Sequence, residues 1–200
     1  MVPRSAFPAV LASSLLLLTL PGCGAEPRAR AAAPAADHTV VTAGTLRPGQ
    51  AIPAPTGTVV LTLRGAITRH NGPDGTLRFD MRTLERIGLA EWTGSDAVAT
   101  GRTRVRFRGV LLRRLLQVAG ARPGARTLRA AALNDYKVTI PVADATRLPV
   151  LLATTADGRR MSVARYGPTR VVYPFGKVPG LQPTVYDPRS IWQVASIEVR

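Results

Sequence analysis

Cysteine is almost absent from this chain: Cys23 is the only one among 200 residues. A lone thiol excludes an intrachain disulfide and any metal site built from clustered thiolates. Lysine is scarce too. Only Lys137 and Lys177 occur, so arginine carries almost all of the 27 basic charges. Acidic residues number 12, which leaves a formal charge of +15. Such a balance invites a nucleic-acid reading. An excess of arginine and alanine is also what a GC-rich genome produces, and the export signal described below removes most nucleic acid from reach. The expectation is no nucleic-acid partner, but a surface that attracts small oxyanions or anionic lipid head groups. The two histidines, His38 and His70, have no spaced carboxylates or thiols around them, so no zinc site is expected. His70 reads as exposed beside a turn.

Long apolar runs are also lacking, except at the start. Residues 1–22 carry one charge, Arg4, then the apolar stretch Ala6–Leu20 and the small residues around Gly22. That order is a secretory signal. Its apolar core is shorter than the ~20 residues that span a bilayer. Leu20-Pro-Gly-Cys23 resembles the bacterial lipobox, in which the cysteine is acylated. Cleavage after Ala25, or a Cys23 discarded within the signal, are the alternatives, and all three imply export. The expectation is a periplasmic protein anchored to a membrane by lipid at Cys23. Residues 23–56 are rich in Ala, Pro and Gly without a sustained apolar period, and read as a flexible tether. Residues 57–200 are left as one domain, long enough to bury a core.

Within that domain the periodicity gives short strands and few helices. Thr58–Arg64 alternates as a strand, as do Thr76–Phe79 and Arg102–Arg108. In the last of these Val105 and Phe107 point inward and the arginines to water. Asp80 caps a helix running through Arg86. Val110–Ala119 is a second helix, stopped by Gly120. Thr127–Leu133 and Lys137–Val142 are strands around Asn134-Asp135-Tyr136, and Ala143–Arg147 is a helical turn. Val150–Thr154 and Arg159–Val163 form a hairpin across Asp157-Gly158. Thr169–Tyr173 and Ile191–Val199 are the last strands. Pro174–Pro188 reads as a loop without an element. The sum is an α+β domain of mixed or antiparallel sheets.

Four segments, in order and spacing, resemble the molybdopterin-binding domain of the sulfite oxidase and methionine-sulfoxide-reductase catalytic-subunit family. They are Phe107-Arg-Gly-Val-Leu-Leu-Arg-Arg-Leu-Leu116 with Ala119-Gly120, and Ala132-Leu-Asn-Asp-Tyr-Lys-Val-Thr-Ile-Pro141. Then come Leu151-Leu-Ala153 with Asp157-Gly158-Arg-Arg-Met161, and Tyr166-Gly-Pro-Thr-Arg-Val-Val-Tyr-Pro174. The closing Ile191–Val199 is similar to the family's final tryptophan strand. The resemblance implies the sulfite-oxidase-type fold. It also implies a cysteine ligand to molybdenum shortly before the aromatic of the first segment. Here that window is Ser95–Gly101, without cysteine. Asp96 is a hard oxygen donor where a soft thiolate is wanted. It reads as a solvated turn residue, and Trp192 and Phe107 read as core.

The residues expected at the mouth the family uses for cofactor and substrate are Asn134, Asp135 and Tyr136, then Arg165, Tyr166, Arg170 and Lys177, with Arg102 and Arg104 beside the empty ligand position. Arginine forks suit phosphates and other oxyanions. The functional expectation is a binding-fold protein without molybdenum catalysis and without a metal. It would take a small anionic ligand, or a periplasmic or membrane protein partner, as an accessory or sensory component. The alternative is a molybdopterin-dependent oxidoreductase with a non-cysteine metal site. A third reading is a structural lipoprotein module.

Overall fold

The computed structural model describes residues 38–96 and 103–200. The signal, Cys23, the first part of the expected tether and Arg102 lie outside the described residues. Strand β1 (Thr39–Thr42) comes first. Strands β2 (Val59–Gly65) and β3 (Leu77–Asp80) form an antiparallel pair. Helix α1 (Met81–Glu85) starts on the Asp80 carboxylate, which accepts from the Thr83 N–H at 2.7 Å. Strands β4 (Leu89–Asp96) and β5 (Thr103–Leu111) pair along their length. Helix α2 (Leu112–Ala119) buries Leu112, Leu115, Leu116, Val118 and Ala119. It ends where Gly120 takes the left-handed conformation, φ 65°, that returns its N–H to the last carbonyls.

Strands β6 (Thr127–Ala132) and β7 (Lys137–Pro141) form a hairpin, followed by helix α3 (Val142–Arg147). Strand β8 (Leu151–Ala156) pairs with the two-residue β9 (Arg159–Arg160) and with β10 (Arg170–Val172). Helix α4 (Pro183–Tyr186), a 3-10 turn at Asp187–Arg189 and strand β11 (Val194–Val199) complete the chain.

The strands make two sheets. One runs β1-β4-β5-β8-β10, with β9 on β8; the other runs β3-β2-β11-β6-β7. Every pairing is antiparallel except β2 with β11, so the second sheet is mixed. Within the first sheet, β10 and most of β8 are buried on both faces. Alternation along β8 sends Leu152 to the main core and Leu151 and Ala153 to a second cluster with Trp92, Phe107, Met161 and Val172. At Gly109 the strands come so close that a Cβ would collide with the Leu152 carbonyl. The sheets are stitched together at one place. Val171 N–H donates to the Ile191 carbonyl at 2.7 Å, and Val194 N–H to that of Thr169 at 2.9 Å.

Several sequence expectations are corrected. The tether does not extend to residue 56 as an unstructured segment: β1 pairs with β4, and Leu46 and Ile52 are buried in the main core. Apolar residues spaced irregularly among Pro and Gly escape periodicity but still find a core. Pro174–Pro188 is not free of elements, because Pro183 opens α4. β4 was not expected, since Gly94, Ser95 and Asp96 have poor strand propensity; pairing to β5 overrides it. Asp96 is not a solvated turn residue but the buried last residue of that strand. Trp192 is not core; it is half-buried beside a cleft.

Candidate functional site

The chemistry gathers where the two sheets are stitched. Arg170 opens β10 on the face that Val172 shares with the second apolar cluster. Asp96 ends β4 on the face of Trp92 and Gly94. Alternation on two separate strands thus delivers a cation and a carboxylate to the same buried point. The guanidinium grips Asp96 by a fork, Nη1 to Oδ2 at 2.7 Å and Nη2 to Oδ1 at 2.6 Å. Both side chains are 4% exposed. The guanidinium also sits 5.4 Å from the Phe107 ring centroid and 5.7 Å from that of Tyr166. Tyr166 stacks on Trp192, centroids 4.5 Å apart and planes within 4°. A continuous line therefore runs from Asp96 through Arg170 and Tyr166 to Trp192.

Beside the ion pair lies a very small chamber of about 10 Å³, lined by Asp96, Arg170, Phe107, Phe175, Asp187 and Ser190. Two of its lining residues each carry a buried polar atom without a protein partner, the Nε–H of Arg170 and Oδ1 of Asp187. Each such atom left dry costs ~1–3 kcal/mol, and the chamber has room for about one water to satisfy it. Asp187 and Ser190 also line a wider cleft of about 260 Å³ open to solvent, whose walls include Asn134, Tyr136, Ile191 and Trp192. The Tyr136 hydroxyl donates to the Pro188 carbonyl at 3.3 Å, and Asn134 Oδ1 accepts from the Tyr136 N–H.

Asp187 is the only charged residue lining that cleft among the described residues. The neighbouring Arg189 is occupied elsewhere. It donates to Asp144 at 2.7 Å, lies over the Tyr186 ring, and shares that carboxylate with the Tyr173 hydroxyl. Burial, and then the Asp144 carboxylate, push the Tyr173 phenol well above its ordinary range, so it remains a donor.

The structure brings Asn134, Tyr136, Tyr166 and Arg170 to one locality. It does not bring Arg165 or Asp135 into the cleft wall; both are exposed, in a 3-10 turn and a positive-φ turn respectively. Arg104 and Lys177 meet elsewhere. They line a polar cleft of about 230 Å³ with Thr39, Thr93 and Glu91, and Glu91 is already held by Arg108 at 2.8 Å. Sequence reasoning missed Asp187, Ser190 and Trp192 as wall residues. Their signal was weak: Asp187 falls in the Pro174–Pro188 stretch that reads as a loop without an element, and the stack on Trp192 joins distant segments.

The family model described as the oxidoreductase molybdopterin binding domain matches residues 55–178. The chain belongs to that family. Its fold is of the sulfite-oxidase type: the sulfane dehydrogenase SoxCD from Paracoccus pantotrophus superposes with a TM-score of 0.51 at 19% identity. The match covers 70% of this chain and 37% of the SoxCD chain, so the present protein spans well under half of that neighbour. No curated protein matches the sequence.

Molybdopterin is the group the family implies, and the donors here do not fit its molybdenum. The only thiol is Cys23, far from the domain in sequence. The carboxylate in the expected ligand window, Asp96, is committed by both oxygens to Arg170. Among the described residues no three His, Cys, Asp or Glu side chains cluster to hold a metal.

Proposed function

We propose that this molybdopterin-binding-fold domain works without molybdenum catalysis, as an exported, lipid-tethered binding or accessory component. The observation that carries the reading is the Asp96–Arg170 fork. A hard carboxylate replaces the soft ligand in the window, and a buried guanidinium satisfies it. Releasing Asp96 toward a metal would strand Arg170, a buried charge whose isolation costs ~3–5 kcal/mol.

Anion binding falls to the Arg104–Lys177 cleft. Both cations are exposed and carry no ion pair among the described residues. A small oxyanion there has two positive partners and one already neutralised acid.

Metal and pterin analysis of protein expressed in a cofactor-making host tests the central reading. The expected result is sub-stoichiometric molybdenum and no pterin fluorescence; one molybdenum per chain overturns it. For the anion cleft, sulfate titration of Arg104→Gln and Lys177→Gln is expected to show about fivefold weaker binding each, from ~1 kcal/mol per exposed pair. The tether has its own check: Cys23→Ser should move the protein from the membrane fraction to the soluble exported one.

A further inference from the structure

Strand β1 is an open edge of the first sheet. It pairs with β4 on one side, and no strand meets its other side among the described residues. Such an edge presents a row of N–H and C=O groups ready to pair, and proteins usually blunt it with charge or proline. β1, Thr39-Val-Val-Thr42, has neither, and all four residues are exposed, Val40 at 63%. Nor is β1 a fraying end. The chain after it is clamped, with the N–H groups of Thr45 and Leu46 donating to the Arg86 carbonyl at 2.7 and 2.9 Å. Gly44, at φ 74°, lies so close to Ile87 that a Cβ would strike its carbonyl.

Between this edge and helix α2 lies a groove of about 200 Å³. Val40, Leu89 and Leu111 give it an apolar wall, and Leu89 and Leu111 are only half-buried. α2 adds Arg113, Arg114 and Gln117, none of them among its buried residues. No acid lines the groove among the described residues. Arg113 Nη2 lies 3.2 Å from His38 Nε2, and neither arginine has an ion pair among the described residues. A sheet edge with a flanking groove takes an extended peptide as an added strand. Main-chain bonds give the affinity, and alternate side chains enter the groove. Arginines at the rim select for acids. A lipid surface or a small anion would use the arginines but leave the edge unpaired.

Charge chooses the occupant. A second copy would offer Thr39–Thr42 again, without an acid and on a chain of formal charge +15. Residues 24–37 of the same chain offer Glu26 and Asp37 but balance them with Arg28 and Arg30. We propose that β1 and the groove beside it dock an extended, acidic segment of a partner protein, added to the first sheet as a further strand. Four paired residues of that segment would run ~13 Å. The inference rests on the accessory reading and names the kind of partner it takes. Metal content decides that reading, whereas peptide docking at β1 decides this one.

Three capped hexapeptides with a core of alternating valine and threonine test it. One carries glutamate at both ends and one carries lysine at both ends. The third is the glutamate peptide with every core amide N-methylated. The full chain is titrated with each while the backbone N–H signals of Val40 and Val41 are followed by NMR. The indole N–H of Trp192, in the separate cleft, is the control. The expected result is a saturable shift of both valine signals with the glutamate peptide, at concentrations about tenfold below those the lysine peptide needs. The N-methylated peptide keeps the side chains but cannot complete the ladder, and should give no saturable shift. Trp192 should stay still. In Arg114→Glu the preference for glutamate over lysine should shrink by about tenfold. Equal binding of the glutamate and lysine peptides overturns the proposal, as does binding that survives N-methylation. So does the absence of any valine shift, which leaves the edge to the chain's own N-terminal segment or to solvent. Valine signals that move with protein concentration alone overturn it in favour of a second copy. Should Arg114→Glu lose its dispersed spectrum, the ranking on the unsubstituted protein decides alone.

Discussion

Asp96 and Arg170 each made sense alone in the sequence, one as a turn acid and the other as an anion-binding arginine. Packing changed both by making them each other's partner. Neither residue type signals burial, because charged side chains are seldom buried unless paired, and a pair from two distant strands has no local trace. The physical consequence is testable. Asp96→Ala leaves a buried guanidinium without its counter-charge and should lower unfolding free energy by about 3–5 kcal/mol, read from urea denaturation. Asp96→Leu combined with Arg170→Met should cost much less, because it removes both desolvated charges together. At the same scale Tyr136 and Asn134 line the cleft, whereas Asp135 and Arg165 face solvent. Sequence proximity does not decide which side of a turn reaches a cavity.

Among the elements, those with local chemical signals were the legible ones. The Asp80 cap is one. Its carboxylate accepts from Thr83 and also from the backbone N–H groups of Thr56 and Gly57, at 2.9 and 3.0 Å. The Thr83 N–H, against a burial penalty, and then the bonds from Gly57 and Thr56 hold its pKa far below the usual carboxylate range. A depressed folded-state value adds stability that is present above the unfolded value of about 3.9. That stability is lost as pH falls through the folded value. Asp80→Asn should therefore be less stable than the parent at pH 6, with the gap closing as the solution is acidified toward pH 2. Urea midpoints across that range check it. Asp80→Ala should cost about 1–2 kcal/mol at neutral pH. Helix α2 was equally readable, from its leucine spacing and the Gly120 stop. β4 and α4 were not, because one depends on its neighbour strands and the other is a single turn opened by proline.

At the scale of the whole molecule the domain reaches further toward the N-terminus than composition implied. β1 adds an edge to the first sheet, and Leu46 and Ile52 enter the main core. Burying two such side chains stabilises by ~1.5–3 kcal/mol each. A chain starting at residue 57 should be at least about 3 kcal/mol less stable than one starting at residue 38, measured by urea denaturation. Equal stability would mean that this segment adds nothing to the fold. The candidate site also belongs to this scale. It sits where β10 of one sheet meets the entrance to β11 of the other, and its walls come from segments far apart in the chain.

The sequence by itself determined the α+β class, most strands, the helix caps and the family, because these depend on periodicity, turn chemistry and motif order along the chain. It also determined that no domain thiol exists to bind molybdenum, since composition alone decides that. The tertiary structure decided what the polar residues do. Only the docking of two sheets could pair Asp96 with Arg170, send Arg104 and Lys177 to a separate cleft, and bring Asp187 and Trp192 to the wall. Those are contacts between distant segments, and their energies arise from burial that no single stretch of sequence contains.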